Sequence, residues 1–225
     1  MPTWRLWKEE TFLNKIGCVL HDGPLSCTFS VERVLPYLHY NRLMTRLTML
    51  TPDRMDKEQL ALYESLTGKA VADVKMTNTD GSMVGPFNMM VHAPLLGDAV
   101  QRLGGILLFR GSLSARAREI AILCVAAHEQ SAFEKSAHEA IGRSAGLTDD
   151  EMSTIASNQP LALSDPIEAC VLSASRALLN NGDLSDAEYH ATVQALGEAG
   201  IIELSTVIGY YSLVAMQLRL FRVPG

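Results

Sequence analysis

From Met44 onward the apolar positions recur at helical rather than strand spacing, and the gaps between them hold helix-start and helix-stop residues. Asp56 stands where an N-cap belongs. Leu60, Tyr63 and Leu66 follow on one face as far as Thr67, and Gly68 ends the run. Residues 73–85 are polar and read as a loop that closes on Gly85-Pro86-Phe87-Asn88. Pro94 opens the next helix, with Leu96, Val100, Leu103 and Leu107 expected along its buried side. Gly104-Gly105 in its middle costs roughly 1 kcal/mol per glycine relative to alanine, which is tolerable if another helix packs closely there. Ser114 caps a long apolar helix containing Ile120, Ala121, Leu123, Cys124 and Ala127.

Three later helices announce themselves by one device. Ser131 with Glu134, Thr148 with Glu151 and Ser185 with Glu188 each fit the S/T-x-x-E capping box, in which hydroxyl and carboxylate satisfy free N–H groups reciprocally. Asp165-Pro166 starts another helix. Gly200 is expected to separate the helix from Ser185 from a last one holding Ile201, Leu204, Val207, Ile208, Tyr211 and Leu218. No alternating pattern of useful length appears, so the fold class is all-α.

Composition changes the picture at one place. Residues 1–43 contain no alanine, whereas 44–225 contain 24, and the first 43 hold both tryptophans and six of the 14 aromatics. They carry five Lys/Arg against four Asp/Glu, so the remainder bears −7 of a whole-chain −6. The expected division is an extension, 1–43, and a domain, 44–225. The extension is either an artefact of a misplaced start or an arm whose aromatics dock on the domain or on a neighbouring subunit.

Charge and cysteines then exclude function classes. An acidic chain of pI 5.5 lacks the basic stripe of a nucleic-acid binder. No stretch reads as the roughly 20 apolar residues of a membrane span, and Lys8, Glu9, Glu10, Asn14 and Lys15 interrupt any secretory signal. Cys18, Cys27, Cys124 and Cys170 make no CxxC pair and no zinc spacing, as expected of a reduced, cytoplasmic protein without a metal site.

Titratable residues concentrate between Glu119 and His138. Glu134 and His138 are four apart and share a helix face, with Ser131 one turn earlier at the helix start. Glu119 belongs to the preceding helix, on a turn that also offers Arg116 and Arg118. A carboxylate and an imidazole together make a general acid/base pair when burial or pairing tunes them. The same residues also fit a plain capping box and a surface ion pair. Cys124, on an apolar face, reads as a core thiol.

The run Arg118-Glu119 through Ser131-Ala-Phe133-Glu134 to His138 resembles the core motif of the carboxymuconolactone decarboxylase family, whose superfamily includes the alkylhydroperoxidase D group. Gly85-Pro86-Phe87-Asn88 with His92 and Pro94, Gly209-Tyr210-Tyr211, and Phe221 to Pro224 resemble the flanking segments, so the similarity spans roughly 46–224. The resemblance implies an alkylhydroperoxidase D-like helical bundle that assembles as a homotrimer or homohexamer. Peroxidase members carry a redox Cys-x-x-Cys pair where this chain has Ser131 and Glu134, while their Glu and His are kept as Glu119 and His138. The branch without that pair implies a cofactor-independent decarboxylase or related lyase acting on a small unsaturated lactone or carboxylic acid. Glu119, Ser131, Glu134 and His138 would then be catalytic, and Arg116, Arg118, Asn88 and His92 would bind substrate. Many decarboxylases of this kind have Arg where this chain has Cys124, so a carboxylate clamp must come from Arg116, Arg118 or Lys135. A non-catalytic oligomeric scaffold is the alternative, and a residual peroxidase acting through Cys124 a third.

Overall fold

The computed structural model describes residues 45–68 and 76–223; the expected extension, 1–43, and the start of the expected loop lie outside them. The unit considered is Leu43–Gly225. Among the described residues eight α-helices follow in order: α1 Lys57–Thr67, α2 Pro86–His92, α3 Pro94–Phe109, α4 Ala115–His128, α5 Ala132–Ser144, α6 Asp149–Ala156, α7 Pro166–Asn181 and α8 Asp186–Phe221. These residues form no strand; an isolated bridge, Thr77 to Met83, closes the loop before α2.

The helix starts follow the local chemistry of the sequence. Asp56 accepts from the Glu58 and Gln59 amides, and Gln59 returns to the Asp56 N–H. Thr148 with Glu151 and Ser185 with Glu188 are full reciprocal boxes. Ser114 and Asp165 cap α4 and α7. Two boundaries differ from the sequence pattern. Pro86 begins a helix, α2, inside what reads as the end of a loop. The break in the last helix falls at Gly197 (φ 72°, ψ 171°), three residues before Gly200, which packs against the Leu196 side chain.

α4 is the axis of the unit. It packs against α5, α6, α7 and α8, and nine of its 14 residues are buried, from Ala117 to Ala126. A helix packed on most sides has little amphipathic character and is apolar over most of its surface. Ile120, Ile122, Leu123 and Val125 meet Val171 and Leu172 of α7 and Leu204, Val207 and Tyr211 of α8 in the main core. A second cluster joins Leu62 and Leu66 of α1 to Met90 and Val91 of α2, with Met83.

α8 is long and apolar enough, by length and composition alone, to cross a membrane, contrary to the expectation that no stretch is. Here Leu204, Val207, Tyr211, Val214, Ala215 and Leu218 are buried instead inside the unit.

α3 buries a different face from the one its leucines suggest. Leu107 is buried, but Leu96 and Leu103 point outward, and the buried positions are Gly97, Gly104 and Leu107. The cause is close approach. A Cβ at Gly97 would lie 2.2 Å from the Met90 carbonyl, and one at Gly104 would lie 2.3 Å from the Tyr210 hydroxyl. Small residues therefore mark the inner face, which turns the leucines out. Gly105 meets nothing within 4 Å. The two neighbours should consequently respond in opposite senses. Gly105→Ala should raise unfolding free energy by up to about 1 kcal/mol through helix propensity. Gly104→Ala should lower it, by about 1–3 kcal/mol if the tyrosine must shift. Denaturant melts of the two variants check the pair, and equal effects would refute this account of the glycines.

Candidate active site

α5 is amphipathic in an unusual way. Its buried residues are Glu134, His138 and Gly142, one stripe of which two members are ionisable. Gly142 allows that stripe close to the core, since a Cβ there would press on Leu147 and Met152 at 3.1 and 3.3 Å. Opposite stands Glu119 of α4, with no exposed surface. Buried carboxylates are costly without partners, and the three side chains supply one another. His138 Nδ1 lies 2.7 Å from Glu119 Oε2, and Nε2 lies 3.4 Å from Glu134 Oε2. The edge-on ring of Tyr211, 4.9 Å away at 86°, closes the remaining side.

Burial alone would strip the imidazole of its proton. Hydrogen bonding to Glu119 and Glu134, together with their charges, outweighs that and raises His138 from 6.5 to about 9. The ring is therefore an imidazolium at neutral pH, with Nδ1–H donating to Glu119 and Nε2–H turned to Glu134. Burial lifts both neighbouring tyrosines, and the Glu134 charge adds to it. Tyr210 reaches about 12, and Tyr211 stands well above its ordinary value. Both remain neutral walls.

The structure separates Ser131–Glu134 from the two other boxes. The Ser131 hydroxyl accepts from the Glu134 amide at 3.4 Å, but the Glu134 carboxylate does not return to the cap. It turns inward to His138, whereas Glu151 and Glu188 both fold back on their caps. The surface-pair reading of Glu134 and His138 fails too, since both are buried.

The cationic and polar candidates divide. Arg118 lies beside the triad, with Nε 3.9 Å from Glu119 Oε1, and neither atom has a hydrogen-bond partner although both are buried. Arg116 is committed elsewhere, to Glu168, Glu151 and the Gly146 carbonyl. Asn88 clamps the backbone of residues 48–50, donating to the Thr48 carbonyl and accepting from the Leu50 amide. His92 donates to the same carbonyl at 2.8 Å. No described contact joins Arg116, Asn88 or His92 to the triad. Lys135 is exposed, 3.8 Å from Glu139. Burial pushes the Cys124 thiol up to about 12. Among the described residues no group of three or more His, Cys, Asp or Glu side chains has the geometry to hold a metal ion.

Tyr210, Tyr211 and the Gly85–Phe133 contact were not picked out as site features from sequence. Tyr211 was legible as core, on the same stripe as Leu204, Val207 and Ile208. Gly85 was not, for its role appears only in space: φ is 56°, and a Cβ would meet the Phe133 ring at 2.1 Å.

Residues 94–177, from α3 into α7, match the carboxymuconolactone decarboxylase family. The helical architecture is shared with an alkylhydroperoxidase AhpD core, an uncharacterized peroxidase-related protein from Ralstonia eutropha (TM-score 0.64, 15% identity, 80% of this chain and 91% of that one). Over residues 94–177 the chain is similar to that family, and its helical fold is that of AhpD-like cores. An uncharacterized peroxidase-related protein from Silicibacter is similar at TM-score 0.62 and 14% identity, over 80% of this chain and 91% of that one. A putative antioxidant defence protein from Agrobacterium tumefaciens follows at 0.54 and 16%, over 61% and 94%. Among curated proteins none matches this chain significantly in sequence.

The elevated His138 value links protonation to stability. Because the folded-state value lies above 6.5, the protonated ring contributes its full stabilisation below about pH 6.5 and loses it as pH rises through about 9. Thermal melts from pH 6 to 10 should show that decline in the native protein and not in His138→Gln. Parallel curves for the two proteins would refute the buried imidazolium.

Proposed function

We propose that the protein is a cofactor-independent lyase that decarboxylates a small unsaturated lactone or carboxylic acid, with His138 as the general acid. The observation that carries this reading is the buried Glu119–His138–Glu134 arrangement holding a protonated imidazole at neutral pH. Loss of carbon dioxide from a conjugated acid leaves the bonding pair in the alkene and carbonyl system, and a proton must then reach carbon. Nδ1 of His138 is held by Glu119, so Nε2–H is the hydrogen available for transfer. The neutral ring that remains recovers a proton from solvent through Glu134, which restores the balance of one proton consumed per carbon dioxide released. Glu119 fixes the ring and favours its charge. The Ser131 hydroxyl, at the positive end of α5, donates in none of the described hydrogen bonds and is suited to a substrate oxygen.

Arg118 is the cation best placed for a substrate carboxylate. Its Nε is buried without a hydrogen-bond partner and lies beside Glu119 Oε1 in the same condition. A bound anion would supply the missing acceptor. Two of the similar structures are described as peroxidase-related, but here the positions of the redox pair hold Ser131 and Glu134, and Cys124 is a buried, protonated thiol. That favours proton transfer over thiol chemistry.

The reading is tested by carbon dioxide release from a panel of unsaturated lactone acids and β-keto acids. On the substrate so identified, His138→Gln should lower kcat by about 10²–10⁴-fold, the range for loss of a general acid. Activity of the native enzyme should fall as pH rises through about 9. A His138→Gln variant that retains full turnover would remove the proposal and leave a binding scaffold as the better reading.

The domain also works as a homo-oligomer in this proposal. Leu96, Leu103 and Ile106 form an outward stripe on α3, flanked by Leu95 and Phe109, all between 38% and 85% exposed. An apolar stripe of that kind favours contact with another copy. Leu96→Glu should shift the protein toward monomer in light-scattering chromatography; an unchanged mass would count against α3 as the contact.

A further inference from the structure

The structure holds a polar cavity that the triad does not use. It lies where the C-terminal halves of α4 and α7 meet the end of α6, and its volume is about 130 Å³. Neither Glu119, Glu134 nor His138 lines it. Its cationic wall is Arg176 of α7, and its other polar walls are His128, Asn158, Asn180 and the Cys124 thiol.

Arg176 is the unusual member. Three of the described arginines are not exposed: Arg116, Arg118 and Arg176. Arg116 pairs with Glu151 and Glu168, and Arg118 stands beside Glu119. No described ion pair involves Arg176. One of its terminal nitrogens donates to the Gln159 carbonyl at 2.9 Å, while its Nε is buried with no hydrogen-bond partner. A half-buried guanidinium with an idle N–H at the wall of a cavity calls for an anion, because burying such a group without an acceptor is costly.

The remaining walls narrow the ligand class. No Asp or Glu lines the cavity, so no carboxylate there competes for the arginine; its neighbour on that wall is the Cys124 thiol, a weak acceptor. Asn158 and Asn180 bring side-chain amides, which make no described hydrogen bonds of their own. Ala127 and Leu179, both half-buried, supply apolar surface next to them. That surface suits a short aliphatic chain better than the water shell of an inorganic anion. The size is close to that of an engineered cavity of about 150 Å³ that takes up benzene, a molecule of about six heavy atoms.

We propose that this cavity is a binding site for a small aliphatic monocarboxylate, its carboxylate on Arg176 and its tail between Ala127 and Leu179, separate from the Glu119–Glu134–His138 centre. The site does not depend on the lyase reading.

Calorimetric and NMR titration of the full chain with sodium butyrate tests it, with butyramide as the neutral isostere and inorganic phosphate and chloride as tail-less anions. Butyrate should bind saturably. Butyramide should bind at least about tenfold more weakly, the loss expected when a charge-assisted hydrogen bond is removed. Arg176→Gln should weaken butyrate by a similar factor. Asn158→Asp places a like charge on the wall and should do the same, and it serves alone if circular dichroism shows that Arg176→Gln does not fold. His138→Gln should bind butyrate as the native protein does. The proposal is overturned if no carboxylate binds saturably, or if butyrate binding survives the folded Arg176 and Asn158 variants. Loss in His138→Gln would also overturn it by placing the ligand at the triad. Phosphate or chloride binding as tightly as butyrate would overturn the monocarboxylate assignment.

Discussion

A carboxylate inside a helix that is packed on most sides is the constraint on which the rest depends. Glu119 sits in α4 among Ala117, Ile120, Ala121 and Ile122, with no exposed surface. In such surroundings an isolated charge is not sustainable, so something cationic must reach it. The nearest hydrogen-bonding answer is His138, presented by α5 on a stripe where an ordinary amphipathic helix would carry leucine. The ring is then charged, and a second carboxylate, Glu134, becomes tolerable beside it. Each of the three makes the next one possible. Removing any of them exposes the others to the full cost of burial, which is why a purely structural explanation for all three is strained. A packing role would be met more simply by apolar residues of similar volume.

Much of this was legible before the structure, and the illegible part has physical reasons. Helix starts at Asp56, Ser114, Thr148, Asp165 and Ser185 were readable because caps are local: residues within one turn satisfy one another. The triad's spacing was also readable, but its use was not. Ser131–Glu134 and Thr148–Glu151 obey the same pattern, and only the third dimension shows that Glu151 folds back on its cap while Glu134 turns to His138. Local sequence specifies that a carboxylate stands at the third helical position. It does not specify whether a buried imidazole competes for it.

Long-range packing explains the other differences. The leucines of α3 suggested the inner face, yet Gly97 and Gly104 are inside because the Met90 backbone and the Tyr210 hydroxyl occupy the space of a side chain. A stripe of glycine gives no hydrophobic signal, so periodicity points to the wrong side. Asn88 and His92 misled in the opposite direction. Polar residues near a motif suggest substrate contacts, but both serve the backbone of residues 48–50, where an extended segment has carbonyl and amide groups that need partners. Arg116 likewise ties α4 to α6 and α7 through Glu151 and Glu168. Of the two arginines on that turn, one has all its donors satisfied between helices, and the other keeps an idle Nε beside Glu119.

In the proposed reaction the direction of proton transfer follows from the same electrostatics. An imidazole flanked by one carboxylate can serve as base or acid near neutrality, because its proton is held only moderately. Flanked by two, at 2.7 and 3.4 Å, it holds the proton up to about pH 9. Such a group is a poor base at pH 7, since it is already occupied, but it is a stored acid. A substrate carboxylate drawn to Arg118 would oppose donation while it remains charged. Once that carboxylate departs as neutral carbon dioxide, the charge that remains is the delocalised carbanion, which is the base that accepts the proton. A site with one charged imidazole between two fixed carboxylates is therefore matched to reactions that end in protonation at carbon, and poorly matched to those that begin by removing a proton.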